Sequence, residues 1–233
     1  MKKRLFSLFA IVGLAMVTYL SLSMLTACDD DDDDDLTETV DEDDDDSETT
    51  GTINGYEYVD LGLSVKWATV NIGATLPADY GNYYAWGETG TKDEYTYDNS
   101  VTSNRSFSFG DISGRAKYDA ATANWGGTWR MPTEAECQEL VEDCTWTWST
   151  QNNSDGEEIN GYLVEGTNGN SIFLPAAGIS GSSLYTGTYG TCWSSTPHAS
   201  NSDTAYCLYF YSSSHGVDDS NRYNGRPVRP VPE

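Results

Sequence analysis

The chain has 233 residues, with 37 Asp and Glu against 12 Lys and Arg, so its formal net charge at pH 7 is −25. A chain of that sign repels nucleic acid and anionic lipid surfaces, and this excludes both as partners. The part from 51 to 233 is long enough to bury one hydrophobic core.

Residues 1–27 have the layout of a secretory signal peptide. Basic residues at positions 2–4 precede an apolar run from Leu5 to about Leu22. The following sequence, Leu25-Thr26-Ala27-Cys28, resembles the lipobox at which bacterial lipoproteins are acylated and cleaved. Cys28 is therefore the predicted lipidation site. The apolar run is also long enough to span a bilayer, so an uncleaved anchor is the alternative, although no basic stop-transfer cluster follows it.

An acidic tether is predicted for residues 28–50, behind the lipidated Cys. Aspartate fills positions 29–35, and acidic residues dominate 38–48 without any Lys or Arg. Such a segment cannot bury apolar surface and repels itself, so it stays extended. Its position resembles the surface-export signal of Bacteroidetes lipoproteins and favours the outer face of the outer membrane. A plain solubilising spacer is the alternative.

Short strands joined by turns are predicted for most of the region 51–233. Runs of aromatic and β-branched residues are separated there by clusters of Gly, Asn, Asp and Ser. The predicted strands lie at 56–59, 65–68, 83–86, 162–164, 171–174, 192–193, 205–210 and 227–229.

One helix is predicted directly after Thr133, which forms a capping box with Glu136. The residues that recur with helical spacing, and so share one buried face, are Cys137, Leu140, Val141 and Cys144. A second helix is predicted from about Ala116 to Ala123. The expected fold class is α+β, an irregular antiparallel sheet with one or two helices.

Six motifs in this region occur in a fixed order. They are YVDLGLSVKWAT (58–69), YGNYYAWGET (80–89), NWGGTWRMPT (124–133), SIFLPAAG (171–178), WSST (193–196) and VRPV (228–231). Through these motifs the chain resembles the Fibrobacter succinogenes major paralogous domain family, and the resemblance extends over nearly all of 54–232. That family is similar to bacterial domains with a C-type-lectin-like fold. The resemblance implies this fold for 51–233 but supplies no activity.

The chain departs from that family at its cysteines. Val70 stands where many relatives have Cys, which leaves Cys144 without its usual partner, and Cys192 and Cys207 stand where Tyr is common. The Glu-Pro-Asn and Trp-Asn-Asp motifs of animal C-type lectins are absent, which disfavours calcium-dependent sugar binding of their kind. Cys192 and Cys207 lie in separate predicted strands and form a candidate disulfide. Cys137 and Cys144 lie too far apart along one helix to pair.

The sequence contains no specific catalytic or metal-binding constellation. It has two histidines, His198 and His215, and no Gly-x-Ser-x-Gly pattern, which disfavours a hydrolase. The spacing of these histidines with Cys192 and Cys207 matches no familiar zinc site. Residues 130–136 resemble a motif of formylglycine-generating enzymes, but the paired C-terminal catalytic cysteines of those oxidases are not reproduced. No cofactor and no metal are expected.

A binding face is predicted between Ser183 and Arg226, in loops that vary without unfolding the core. Rigid aromatic and short polar side chains are mixed there, as in antibody combining sites. The candidate ligand-binding residues are Tyr185, Tyr189, His198, Asn201, Asp203, Tyr211, His215, Asp218, Asp219, Asn221 and Tyr223. The neighbouring aromatics Tyr206, Tyr209 and Trp193 could also contact a ligand. The strand period assigns the alternating residues Trp193, Leu208 and Phe210 to the core as the alternative.

The stretch from Ser194 to Arg226 contains no Lys, Glu, Gln, Met or Trp. A codon that ends in a pyrimidine cannot encode any of these five, and segments diversified at Asn codons by adenine-directed mutagenesis have this signature. C-type-lectin-like variable proteins of diversity-generating retroelements carry their variable region at a similar C-terminal place. A polar, turn-rich region that lacks these types by chance is the alternative.

These features together predict a surface-anchored lipoprotein that acts as a non-enzymatic recognition or adhesion module. Its expected partners are a glycan or a host, phage or bacterial surface protein, and it contacts the membrane through its lipid anchor only. Two alternatives stay open: an enzyme, either a hydrolase or an oxidase of the formylglycine-generating type, and a structural envelope protein without a dedicated ligand.

Overall fold

The computed structural model describes residues 49–103, 110–180 and 185–233. The predicted signal peptide, the lipidation site Cys28 and the tether up to residue 48 lie outside the described residues, as does the start of the predicted binding face at Ser183. In the three described ranges, no helix is long and apolar enough to cross a membrane.

The described residues form two helices and eleven short strands. The helices are α1 (Ala120–Trp125) and α2 (Glu134–Asp143). The strands are β1 (Thr50–Ile53), β2 (Tyr56–Val59), β3 (Trp67–Ala68), β4 (Trp129–Arg130), β5 (Thr145–Asn152), β6 (Glu158–Glu165), β7 (Ser171–Pro175), β8 (Tyr189–Pro197), β9 (Thr204–Tyr211), β10 (Ser214–Asn221) and β11 (Val231–Pro232).

The strands pair into four small antiparallel sheets, in the orders β1-β2-β3, β11-β4, β5-β6-β7 and β10-β9-β8. The α+β class is confirmed, with antiparallel pairing and two helices, but the single irregular sheet expected from the sequence is divided into four. The predicted strand at 83–86 is reduced to one bridge, in which Tyr84 pairs with Arg226. The predicted strand at 227–229 does not form, and the chain pairs two residues later as β11.

Both helices begin at side chains that cap them. Thr133 and Glu136 make the predicted capping box of α2, since each side chain accepts a hydrogen bond from the other's backbone N–H. Helix α1 begins four residues later than predicted because Asp119 is its N-cap and accepts from the N–H groups of Ala121 and Thr122. The same buried carboxylate accepts from the N–H of Met131, which fixes α1 against β4.

The β8–β9–β10 sheet is covered on both faces. Directly opposite residues of antiparallel strands share a face, so Trp193 and Cys207 lie on one side and Leu208 and its partner Cys192 on the other. The side of Trp193 is named the arginine face, because the Arg226 guanidinium lies 5.1 Å from the centre of the Trp193 ring. The other side is named the helix face, because it shares a core with α2.

The buried residues form two hydrophobic cores, one on each face of this sheet. On the arginine face, Trp193 and Cys207 pack with Trp86 and Trp129. On the helix face, Leu208 and Phe210 pack with the α2 residues Cys137 and Leu140 and with the β5–β6–β7 sheet. Cys137 and Leu140 are buried as predicted, whereas Val141 and Cys144 are half-buried because α2 ends at Asp143.

Candidate functional site

The predicted binding segment is a sheet rather than a set of loops. Most of the residues between 189 and 221 belong to β8, β9 and β10. The strands predicted at 192–193 and 205–210 are found within β8 and β9, whereas the expectation of freely varying loops is wrong for the other residues of these three strands. Their side chains alternate between the two faces of the sheet. The eleven candidate residues are therefore distributed over several surfaces and do not form one site.

One of these surfaces is a row of tyrosines on the arginine face, which we name the tyrosine row: Tyr185, Tyr189, Tyr209 and Tyr211. Tyr189 and Tyr211 are directly opposite in the β8–β9 register. The ring of Tyr185 lies 6.1 Å from that of Tyr189, edge to face, and Tyr209 and Tyr211 are stacked with centroids 6.4 Å apart. Tyr185 is 49% exposed and Tyr211 41%. Three of these four, Tyr185, Tyr189 and Tyr211, are among the predicted ligand-binding residues.

Beside the tyrosine row lies the buried cation of Arg226, which is 4% exposed. Its guanidinium donates hydrogen bonds to the hydroxyls of Thr191 and Ser220, and its Nε has no protein partner. Burial raises the pKa of Tyr189 above its ordinary value, against the opposing effect of the Arg226 cation. The phenol thus stays protonated and can donate a hydrogen bond to a ligand. Asp218 is exposed on the same face, opposite Cys207.

His215 and Asp219 lie on the helix face, away from the tyrosine row. The imidazole of His215 stacks on Trp146, with centroids 4.5 Å apart and planes 9° from parallel. It also meets the ring of Tyr162 at 5.6 Å. Burial lowers the pKa of His215, so the ring is mainly neutral at pH 7. His215 lies in β10 and packs against Trp146 of β5 and Tyr162 of β6. Its prediction as a loop residue on the same binding face as Tyr211 is therefore wrong.

His198, Asn201 and Asp203 form the turn between β8 and β9. His198 Nδ1 accepts a hydrogen bond from the N–H of Asn201 at 3.0 Å. The side-chain oxygen of Asn201 accepts from the N–H of Asp203 at 3.1 Å. The side chains of His198 and Asn201 close their own turn, which is the ordinary structural use of such residues, whereas Asp203 contributes its backbone N–H.

Asn221 and Tyr223 lie at the end of β10. The Asn221 amide donates to the Tyr223 hydroxyl at 3.3 Å. The Tyr223 ring packs edge to face on Tyr97, with centroids 6.2 Å apart. Within the described residues the Tyr223 ring contacts Tyr97 and no member of the tyrosine row, so this pair belongs to a separate aromatic surface.

The candidate disulfide is not formed. Cys192 and Cys207 are free thiols, and their register is offset by one residue, so their side chains point to opposite faces of the sheet. Cys137 and Cys144 are also free, as predicted. Burial raises the pKa of the Cys192 thiol to about 11, so it is protonated and unreactive at neutral pH.

The motif that resembles formylglycine-generating enzymes has a structural role here. Both guanidinium nitrogens of Arg130 bond the Glu136 carboxylate, at 2.9 and 2.6 Å. Burial alone would raise the pKa of Glu136, but the Arg130 and Thr133 hydrogen bonds hold it below its ordinary value. Within the described residues, no group of three or more His, Cys, Asp or Glu side chains could hold a metal ion.

Comparison with known proteins gives no relative for this chain: no family model, no curated protein and no solved structure matches it.

Proposed function

We propose that this protein is a surface-anchored lipoprotein that recognises a glycan or a surface protein through the tyrosine row, without catalysing a reaction. The observation that carries the proposal is the contiguity of four tyrosines on one sheet face, with Tyr185 and Tyr211 exposed. Tyr combines a large apolar ring with a hydroxyl, which suits it to stacking on sugar rings and to anchoring protein interfaces. The buried core beneath holds the rings in place, and this reduces the entropy lost on binding.

We further propose that residues 51–233 form a C-type-lectin-like domain of the Fibrobacter succinogenes major paralogous kind. The support is the ordered set of six motifs and the role of their tryptophans. The tryptophans within those motifs are all buried, namely Trp67, Trp86, Trp125, Trp129 and Trp193. The motifs thus supply the scaffold, whereas the tyrosine row lies largely outside them and is free to differ between relatives.

Replacing Tyr185 and Tyr211 together with Ser is expected to weaken binding at least about tenfold, which corresponds to roughly 1.4 kcal/mol. The binding assays are a glycan array and a panel of bacterial and mammalian cells, with and without protease treatment. Because both side chains are exposed, the free energy of unfolding should change by less than about 1 kcal/mol for the pair.

The matched control for this pair is Tyr97→Ser, since Tyr97 is 45% exposed but lies beside Tyr223. It should leave binding unchanged. Loss of binding in Tyr97→Ser with full retention in the double variant would move the site to the Tyr97–Tyr223 surface. Protease sensitivity of the cell-bound signal distinguishes a protein ligand from a glycan.

The lipid anchor is tested by Cys28→Ser. Acylation at this Cys precedes cleavage of the signal peptide, so the variant should accumulate as an unprocessed precursor and lose labelling by a palmitate analogue. Cell fractionation and surface protease shaving then report on outer-membrane and outer-face location. Equal labelling of wild type and variant would contradict lipidation at Cys28.

A further inference from the structure

Basic residues are missing from a long continuous part of the chain. The sequence from Met131 to Asn221 contains no Lys or Arg, although it carries twelve Asp and Glu. This part includes α2 and all of the strands from β5 to β10. The surface that these elements form therefore has no Lys or Arg side chain, and its net charge is negative.

The three arginines that follow β10 do not supply a cation at the surface. Arg222, Arg226 and Arg229 are 2%, 4% and 0% exposed. Even when they are counted, acidic residues outnumber basic ones by twelve to three between 131 and 229. A partner that approaches the arginine face therefore meets carboxylates and tyrosine rings, in a field of negative sign.

One exposed carboxylate, that of Asp218, lies at the Tyr209 end of the tyrosine row. Asp218 is opposite Cys207, and Tyr209, two residues along the same face, is opposite Gly216. The Tyr209 ring lies over Gly216, since a Cβ atom on this glycine would be 3.0 Å from the Tyr209 hydroxyl. Diagonal neighbours such as Tyr209 and Asp218 lie roughly 7–8 Å apart, which is within reach of an aromatic ring.

The Asp218 charge also reaches the middle of the tyrosine row. Burial is the main cause of the raised pKa of Tyr189, and the negative charge of Asp218 adds to it. Asp218 Oδ1 accepts a hydrogen bond from the N–H of Asp219 at 2.8 Å, which orients the carboxylate. Its position on the arginine face is thus fixed by the strand register and by this bond.

A second exposed carboxylate, that of Glu158, lies near the Tyr185 end of the row. The Asn160 amide of β6 donates to the carbonyl of Gly187 at 3.0 Å, in the turn between Tyr185 and Tyr189. Glu158 precedes Asn160 by two residues, so both side chains lie on the same side of β6, and both are exposed. The tyrosine row is therefore bordered by one carboxylate near each end.

Lys and Arg are the side chains that suit both features of this surface. The face of a Tyr ring attracts a cation, and an exposed carboxylate pairs with one. Each such contact at an exposed site changes affinity by less than about tenfold, so several must act together. An acidic ligand would be repelled, and a neutral one would not use the carboxylates as ion-pair partners.

We infer that the arginine face binds a basic segment of a partner protein, with Lys or Arg side chains on the tyrosine rings between Asp218 and Glu158. This inference rests on the proposed function and selects the protein class from its two ligand classes. The negative field should also speed association and make binding sensitive to salt.

The test is fluorescence anisotropy with three labelled peptides, which contain five repeats of Arg-Gly-Ser, Gln-Gly-Ser or Glu-Gly-Ser. The protein is the full chain with every Asp and Glu between 29 and 48 replaced by Asn and Gln, so that the tether does not bind the probe.

The Arg peptide is expected to bind with a Kd of about 10–500 μM, and the Gln and Glu peptides at least about tenfold more weakly. The Kd of the Arg peptide should rise at least about fivefold between about 50 and 500 mM NaCl. If the Arg peptide does not bind below about 2 mM, or if the Gln peptide binds equally well, the inference is wrong.

Variants of the carboxylates locate the site. Asp218→Asn should weaken binding of the Arg peptide about threefold, and Asp218→Asn with Glu158→Gln about tenfold. The matched control is Asp143→Asn, which removes the same charge from an exposed residue of α2, on the other side of the sheet. It should change the Kd by less than about 1.5-fold. An equal effect of Asp143→Asn and Asp218→Asn would contradict the inference, because net charge alone would then explain binding.

The double Tyr185→Ser and Tyr211→Ser variant separates this inference from the proposed function. It should weaken binding of the Arg peptide at least about tenfold. If it loses binding of a neutral glycan while Asp218→Asn keeps it and no variant affects the Arg peptide, the proposed function stands and the inference fails. If Asp218→Asn weakens peptide binding and the double Tyr variant does not, the basic segment binds this face and the tyrosine row is not the recognition element.

Discussion

Trp193→Ala is expected to lower the free energy of unfolding by about 3–5 kcal/mol, the usual cost of removing a buried Trp ring. Trp193 is 0% exposed. Its Nε1 donates a hydrogen bond to the carbonyl of Tyr84 at 2.9 Å, which joins β8 to a distant segment of the chain. Truncation would leave a cavity, an unpaired buried carbonyl, and the Arg226 cation without the ring beneath it.

Urea denaturation monitored by circular dichroism measures this loss. Trp193→Phe keeps most of the ring volume but not the N–H donor, so its cost should be smaller, about 1–3 kcal/mol. Tyr211→Ser, an exposed position on the same face of the sheet, is the control and should cost less than about 0.5 kcal/mol. Equal stability of Trp193→Ala and Tyr211→Ser would show that the Trp193 ring does not stabilise the core.

Local sequence patterns predicted the elements that are stabilised locally. The start of α2 was predicted because the capping box is a short-range signal, with Thr133 and Glu136 three residues apart. Strands β2, β6, β7 and β9 were found for a similar reason, since each carries a run of aromatic or β-branched residues.

Elements that depend on a distant partner were missed. Strand β10 has the sequence SHGVDDSN, which has almost no apolar alternation, and it forms because β9 pairs with all eight of its residues. Strand β5, with the sequence TWTWSTQN, is an exception, because its aromatic and polar residues do alternate although no strand was predicted there. The start of α1 depends on Asp119, whose carboxylate also binds the N–H of Met131, and a bond across twelve residues is not visible in a local pattern.

The binding surfaces, too, were predicted only as far as the local sequence indicates them. The abundance of tyrosine pointed to an aromatic surface, and the tyrosine row contains three of the predicted residues. Sequence alone could not separate His215 from Tyr211, because which face a residue occupies depends on the register of β9 with β10.

Arg229 joins distant segments of the chain inside the core. Its side chain is 0% exposed, and four neutral oxygens accept its hydrogen bonds. They are the side-chain oxygen of Asn71 and the carbonyls of Ala68, Thr69 and Phe173, at 2.8 to 3.1 Å. Burial lowers the pKa of Arg229 to about 10, so it is still a cation at neutral pH. Thr69 directly follows β3 and Phe173 belongs to β7, so this guanidinium holds these two elements together.

Arg229→Met is therefore expected to lower the free energy of unfolding by at least about 3 kcal/mol, because it leaves several buried acceptors unpaired at about 1–3 kcal/mol each. Arg229→Lys keeps the charge but cannot reproduce the planar fork of donors, so its cost should be intermediate. Urea denaturation at neutral pH gives both values, with the exposed Lys117→Met as a control expected within about 0.5 kcal/mol of wild type. If Arg229→Met were as stable as wild type, these hydrogen bonds would not contribute to folding.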